Sequence, residues 1–255
     1  MLDMFSLVYF VWVLSAILLI TGVYFAMRNK SATVRYWFLF GLTVFAWVIH
    51  FARYWLDPDL LMHNMFFVDL CGFSTLVYPF FFLSKNPLYK DYMYFVGGLF
   101  AAHSLFYPND IEGDPILYYN TIRFFFAHSI LVGVPVLLVL WKMHVPNWRN
   151  IPKMVIFVLV GALYSFSISS FFYEVGLTTR HMNYMGLWGN TDSVYRLFER
   201  VAPFMRYTVV EYGVEVSKPI PYFYMIPGLL LFYTPVWILM SMPFWERWRK
   251  GGSQS

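Results

Sequence analysis

From Met4 to Met27 the chain runs for 24 residues without a charged side chain, and this limits the possible folds more than any other feature. In hydrocarbon the backbone polar groups must be satisfied inside the segment, so an apolar run long enough to cross a bilayer folds as a helix. Six more runs follow the same rule, at 34–54, 60–84, 92–109, 116–141, 154–173 and 219–245. The sequence therefore predicts an all-α membrane protein, a bundle of seven transmembrane helices forming one polytopic domain over 1–255. Bends are expected at Pro227 and Pro235 in the last span. The first run is read as a retained helix and not a signal peptide, because its basic residues follow it and it is too long. Composition agrees: at 60% hydrophobic and 13% charged, the chain has more apolar surface than an aqueous core of this length hides.

The connections carry alternating charge. Arg28, Lys30 and Arg35, then Lys85 and Lys90, then Lys142, Arg149 and Lys153, then Arg247, Arg249 and Lys250 occupy every other connection; Asp57 and Asp59, then Asp110, Glu112 and Asp114 lie between them. Short cytoplasmic loops are enriched in Lys and Arg, so this pattern predicts the N-terminus outside and the C-terminus inside. The sequon Asn29-Lys30-Ser31 falls on the basic side, and no glycan is expected there. The net charge of +4 comes from 18 basic and 14 acidic side chains that are dispersed along the chain, which argues against nucleic acid as a partner.

The connection 174–218 is longer than a helix turn needs. Within it, 192–210 has Val194, Leu197, Phe198, Val201, Phe204 and Met205 at helical spacing, with Arg196, Glu199, Arg200 and Arg206 opposite. That pattern predicts an amphipathic surface helix in the outer loop before the last span; a solvated lid or a partner contact fits the pattern equally. Gly97-Gly98 with Ala101-Ala102 is a small-residue pattern for close helix approach.

The chain has no phosphate-binding glycine loop, no HExxH and no CxxC, and Gly72-Phe73-Ser74-Thr75 is followed by Leu76, so GxSxG is incomplete. One cysteine cannot form an internal disulfide or a multi-cysteine metal site. No metal and no cofactor is expected. What remains is the set of polar groups inside spans, where polarity is expensive and marks function by default.

Asn64, Cys71, Thr75 and Tyr78 recur at helical spacing on one face of the third span. Taken from the outer end of its span, Cys71 is ~16 Å deep, and His128 of the fifth span is ~18 Å deep, with Thr121 two turns above it. Both helices run outside to inside, so sulfur and imidazole are candidates to meet near the midplane. An imidazole beside a thiol is a standard way to obtain the nucleophilic thiolate, and a third group then orients the ring. Asn183 or Tyr184 fits that role by folding down, Asn120 by proximity, and Asp69 less well by direction. The competing reading makes Cys71 inert packing and His128 an interhelical hydrogen bonder. His50, His63, His103 and His144 read as structural, with His63 and His144 interfacial. Arg123 either pairs with Asp69, snorkels outward or holds a lipid phosphate.

Met93-Tyr94-Phe95-Val96-Gly97-Gly98, Pro108-Asn109-Asp110 and Arg123-Phe124-Phe125-Phe126-Ala127-His128-Ser129 together resemble the YwaF-type integral membrane proteins. Asp69-Leu70-Cys71-Gly72 is similar to that family's His-Leu-Cys-Ser stretch, and Asn183-Tyr184-Met185 to its Asn-Tyr. The likeness covers about His50 to Tyr222. It implies a cysteine acyltransferase of phospholipids, ether lipids included, as in the family's eukaryotic transmembrane member, with Cys71 and His128 in the motif positions. Asp69 stands where bacterial relatives have histidine, and Arg123 where they often have glutamine.

The expected function is an intramembrane lipid acyltransferase or acyl hydrolase with Cys71, His128 and Asn183 catalytic. Asn64, Thr75, Tyr78, Asn120, Thr121, Arg123 and Tyr184 are the expected lipid-binding residues, and a phospholipid or lysophospholipid is the partner. The alternative is a non-catalytic, lipid-binding subunit of a larger membrane complex, for example a respiratory-type assembly, with other membrane subunits as partners.

Overall fold

Two serines start the first two helices. Ser6 caps α1 (Leu7–Met27) by accepting from the Tyr9 N–H, and Ser31, the last residue of the sequon, caps α2 (Ala32–Phe51) by accepting from the Val34 N–H. After the short α3 (Arg53–Leu56) come α4 (Leu70–Leu83) and α5 (Pro87–Tyr92). A π-helical turn, Met93–Gly98, leads into α6 (Leu99–Phe106), and then follow α7 (Tyr119–Leu140), α8 (Ile151–Glu174) and α9 (Ser193–Val201). A hairpin of β1 (Arg206–Glu211) and β2 (Val214–Pro219) precedes a last helix made of α10 (Met225–Gly228), a π turn (Leu229–Tyr233) and α11 (Thr234–Ser241). This computed structural model describes residues 2–3, 5–57, 65–108, 111–179, 182, 193–211, 213–221 and 223–245. Asn64, Asn183 and Tyr184 lie outside the described residues, as does His63.

Five of the described helical stretches are long and apolar enough to cross a membrane: Leu7–Met27, Ala32–Leu56, Tyr119–Leu140, Trp148–Glu174 and Met225–Phe244. The protein is a multi-pass integral membrane protein. Large apolar side chains such as Leu14, Leu18, Trp37, Val48, Ile156 and Leu239 are exposed along these helices, as lipid-facing residues are.

Contacts divide the chain into two compact units, 1–67 with 71–146, and 68–70 with 147–255. In the first, α7 is the central rod, with Phe124, Phe125, Ala127, His128 and Ile130 through Leu131 all buried. α1 runs parallel to it, since Trp12 stacks on Phe125 at 5.0 Å and Ile20 fills the space beside Gly133. α2 runs antiparallel to it, with the Tyr119 hydroxyl donating to the Ile49 carbonyl at one end and Arg35 over Trp141 at the other. α2 is antiparallel to α4 as well: Tyr36 meets Phe82, and the Trp47 indole donates to the Thr75 carbonyl at 2.8 Å. It follows that α4 and α7 run the same way, as expected from the sequence.

Prolines explain two of these ties. A proline inside a helix has no N–H, which leaves the carbonyl four residues back without its ladder partner. Pro79 frees the Thr75 carbonyl, which Trp47 satisfies, and Pro135 frees the Leu131 carbonyl, which accepts from the Tyr78 hydroxyl at 3.0 Å. The same hydroxyl lies 2.9 Å from the Met93 carbonyl, so one buried tyrosine joins α4, the π turn and α7. Its ring fits because residue 97 is glycine: a Cβ there would lie 2.2 Å from the Tyr78 oxygen. The small-residue pattern therefore works as read, with Gly98 likewise close to Pro135.

In the second unit the π turn Leu229–Tyr233 ends just before Pro235, so the helix shifts its hydrogen-bond register next to the missing N–H. Ser165 donates to the Val68 carbonyl at 2.6 Å, and Ser169 to the Met182 carbonyl at 2.8 Å.

Four expectations change. The third apolar run is not one continuous helix: residues 66–69 are irregular and α4 starts only at Leu70. Irregular backbone at membrane depth needs partners from the protein; His50 Nε2 donates to the Met65 carbonyl at 2.9 Å while its ring stacks on Phe67 at 4.1 Å. The fourth helix starts earlier than 92, at Pro87, where Asn86 caps it. The amphipathic helix predicted over 192–210 stops at Val201, and Arg206–Glu211 is a strand paired with Val214–Pro219. There the pattern changes to the alternating, β-branched Thr208-Val209-Val210 and Val214-Glu215-Val216, reversed at Gly213 with φ +78°. The fold is mostly helical, not all-α. Finally, His144 is buried against Asp91 instead of interfacial.

Candidate active site

Cys71 is the second residue of α4, so depth counted along a helix from Leu60 does not hold. The contacts still set its level. Its sulfur lies 3.6 Å from the Ser104 hydroxyl oxygen of α6, and Thr75 Oγ1 donates back to the Cys71 carbonyl at 2.9 Å. Ser104 in turn donates to the Phe100 carbonyl at 3.1 Å, which leaves its oxygen to accept from the thiol. Cys71, Thr75 and Tyr78 share one face of α4, as their spacing requires, and Ser74 beside them bonds the Tyr92 hydroxyl at 2.8 Å.

His128 is buried on α7, 8% exposed, with Nδ1 2.7 Å from the Phe124 carbonyl and its ring 4.1 Å from that of Phe124. A carbonyl only accepts, so Nδ1 carries the proton and Nε2 is the basic nitrogen of the neutral ring. The ring leans toward the N-terminus of its helix, over residue 124.

Two registers relate the levels of α4 and α7. Tyr78 is level with Leu131 through its hydroxyl; seven residues back on each parallel helix are Cys71 and Phe124. α6 runs antiparallel to α7, with Gly98 near Leu131 and Pro135; six residues on, Ser104, which meets Cys71, is level with about residue 127 by equal rise. By equal rise both registers put Cys71 within about one turn of His128 along the helix axes.

The remaining candidates form a separate group where α7 begins. Thr121 Oγ1 donates to the Pro115 carbonyl at 3.0 Å. Asn120 donates to Asp114 at 3.1 Å and accepts from Arg123 at 2.9 Å, so the Arg123 guanidinium has a neighbour on its own helix. Close by, Arg53 pairs with Asp57 at 3.4 Å, and Tyr118 donates to Asp57 at 2.6 Å. Ser104 and Tyr92 were passed over in the sequence; their signal was a polar group inside an apolar run. The buried Asp91–His144 pair, at 2.8 Å, gave no such signal because both residues lie in connections that read as solvated.

The sequence pattern of one family matches residues 2–241. The chain belongs to the TMEM164 family. That match covers α1 through α11, and so takes in every helix that carries a candidate residue. The likeness to YwaF-type proteins rests on the short motifs alone. No curated protein and no solved structure matches the chain.

Proposed function

We propose that this protein is an intramembrane lipid acyltransferase or acyl hydrolase in which Cys71 is the nucleophile and His128 the general base. The observation that supports the reading is the Nδ1 hydrogen bond of His128 to the Phe124 carbonyl, which puts the ring proton on Nδ1 and makes Nε2 the nitrogen suited to a general base. Two features support it. Cys71 sits in the first turn of α4, where the helix end favours a thiolate, and Ser104 can turn its hydroxyl from Phe100 to donate to that thiolate.

In this mechanism Nε2 takes the thiol proton and sulfur attacks the ester carbonyl of a phospholipid acyl chain. The carbon–oxygen ester bond breaks, and the lysophospholipid alkoxide leaves with the proton from the imidazolium, giving a thioester on Cys71. A second hydroxyl, of another lysophospholipid or of water, gives its proton to Nε2 and attacks the thioester, and the thiolate departs. The Phe124 carbonyl holds the ring, the orienting role for which the sequence offers Asn183, Tyr184, Asn120 or, less well, Asp69. The YwaF-type resemblance points to the same substrate class.

The test is mass spectrometry of the purified protein after incubation with phospholipid. An acyl mass on Cys71, absent in Cys71→Ala and strongly reduced in His128→Ala, is the expected result. Acyl transfer at full rate in either variant refutes the mechanism; a protein that binds lipid without forming an adduct fits the non-catalytic subunit reading.

A further inference from the structure

α9 has two unlike faces. Phe198 and Ala202 are buried, and the Phe198 ring lies directly over Gly228, where a Cβ would come within 2.3 Å of it, and stacks on Phe232 at 6.1 Å. These contacts seat α9 on the first two turns of the last membrane helix, Met225–Phe244, and so at the membrane boundary. On the opposite face Arg196 and Arg200 stand one turn apart and exposed. With Glu199, Pro203 and Arg206 they line an open groove of about 430 Å³.

The third arginine is engaged structurally. Arg206 donates to Glu199 at 3.3 Å, to the Ser217 hydroxyl at 3.0 Å and to the Ser217 carbonyl at 2.6 Å, which locks α9 to the hairpin and balances the groove's one carboxylate. Among the described residues Arg196 and Arg200 have no ion-pair partner, and the described lining of the groove carries three arginines against one glutamate. Leu197 on α9, Phe204 in the turn after it, and Val210 and Val214 on the hairpin are exposed apolar side chains. Positive charge in a groove, greasy residues beside it and a membrane helix beneath suit a ligand with a phosphate joined to hydrocarbon.

We propose that this groove binds the phosphate of a membrane phospholipid headgroup through Arg196 and Arg200. The site is independent of the chemistry assigned to Cys71 and His128, and its test reads binding alone. The full chain in maltoside micelles is titrated with dioctanoyl phosphatidic acid, with dioctanoylglycerol and with inorganic phosphate, for the wild type and for R196Q/R200Q. Both arginines are exposed, so the variant is expected to melt at the wild-type temperature. Phosphatidic acid binds the wild type, roughly tenfold or more weakly in the variant, and added salt weakens it further; dioctanoylglycerol does not compete. Equal affinity in wild type and variant overturns the proposal, as does competition by dioctanoylglycerol. Inorganic phosphate binding as tightly as the lipid overturns it too, since the site is then one for a free anion.

Discussion

Gly97→Ala adds one carbon in the place where the structure has least room. The new Cβ would lie 2.2 Å from the Tyr78 hydroxyl oxygen, 2.7 Å from Cε1 and 2.8 Å from Cζ. The tyrosine is 1% exposed and its ring is rigid, so relief requires α4 to move away from the π turn. That movement breaks the hydroxyl's bonds to the Met93 and Leu131 carbonyls, and the second of these has no ladder N–H because of Pro135. Overpacking of this kind costs about 1–3 kcal/mol, and an interhelical hydrogen bond in a membrane about 0.6 and at most about 1.7 kcal/mol. Alanine returns about 1 kcal/mol of helix propensity. The net effect is a loss of about 1–3 kcal/mol by these figures. Gly41→Ala in α2 is the matched control: a Cβ there meets nothing within 4 Å, so only the propensity gain remains. Thermal melting of both variants in the same detergent reads the comparison. Because Tyr78 is two turns from Cys71 on the same helix face, Gly97→Ala is also expected to lower acyl transfer. A melting temperature for Gly97→Ala at or above that of Gly41→Ala would show that the tyrosine tie does not hold α4 in place.

Three more outcomes follow from the same contacts. Trp47→Phe removes the donor to the Thr75 carbonyl and is expected to destabilise by about 1 kcal/mol; in a Pro79→Ala background, where residue 79 regains its N–H, the same change should cost less, which a double-mutant cycle in thermal melting measures. His144→Leu takes away the ring bonded to the buried Asp91 carboxylate and is expected to destabilise by about 3 kcal/mol, with Asp91→Asn/His144→Leu partly recovering the melting temperature; equal stability of His144→Leu and wild type would show that the pair contributes nothing. Cys71 is the chain's one thiol, so alkylation by iodoacetamide reports on it alone. His128→Gln is expected to slow that reaction near neutral pH by a factor of ten or more, on the order of the lower range for a positioned base, and unchanged kinetics would separate the two residues.

The apolar runs alone determined that the protein lives in a membrane, because a chain without internal partners for its backbone has only helices available in hydrocarbon. The glycine pair 97–98 and the polar spacing of Cys71, Thr75 and Tyr78 were legible too, since helix geometry fixes which residues share a face. Pro79 and Pro135, inside α4 and α7, leave the Thr75 and Leu131 carbonyls in need of donors. Only the tertiary structure decided which donors, because Trp47 and Tyr78 reach them across helices from 28 and 53 positions away. The start of α4 at Leu70 was hidden for the same reason: an apolar run does not record where the helix begins when His50, on another element, satisfies the Met65 carbonyl just before the irregular stretch. The Asp91–His144 pair was likewise settled by partners distant in sequence, where local periodicity has no say.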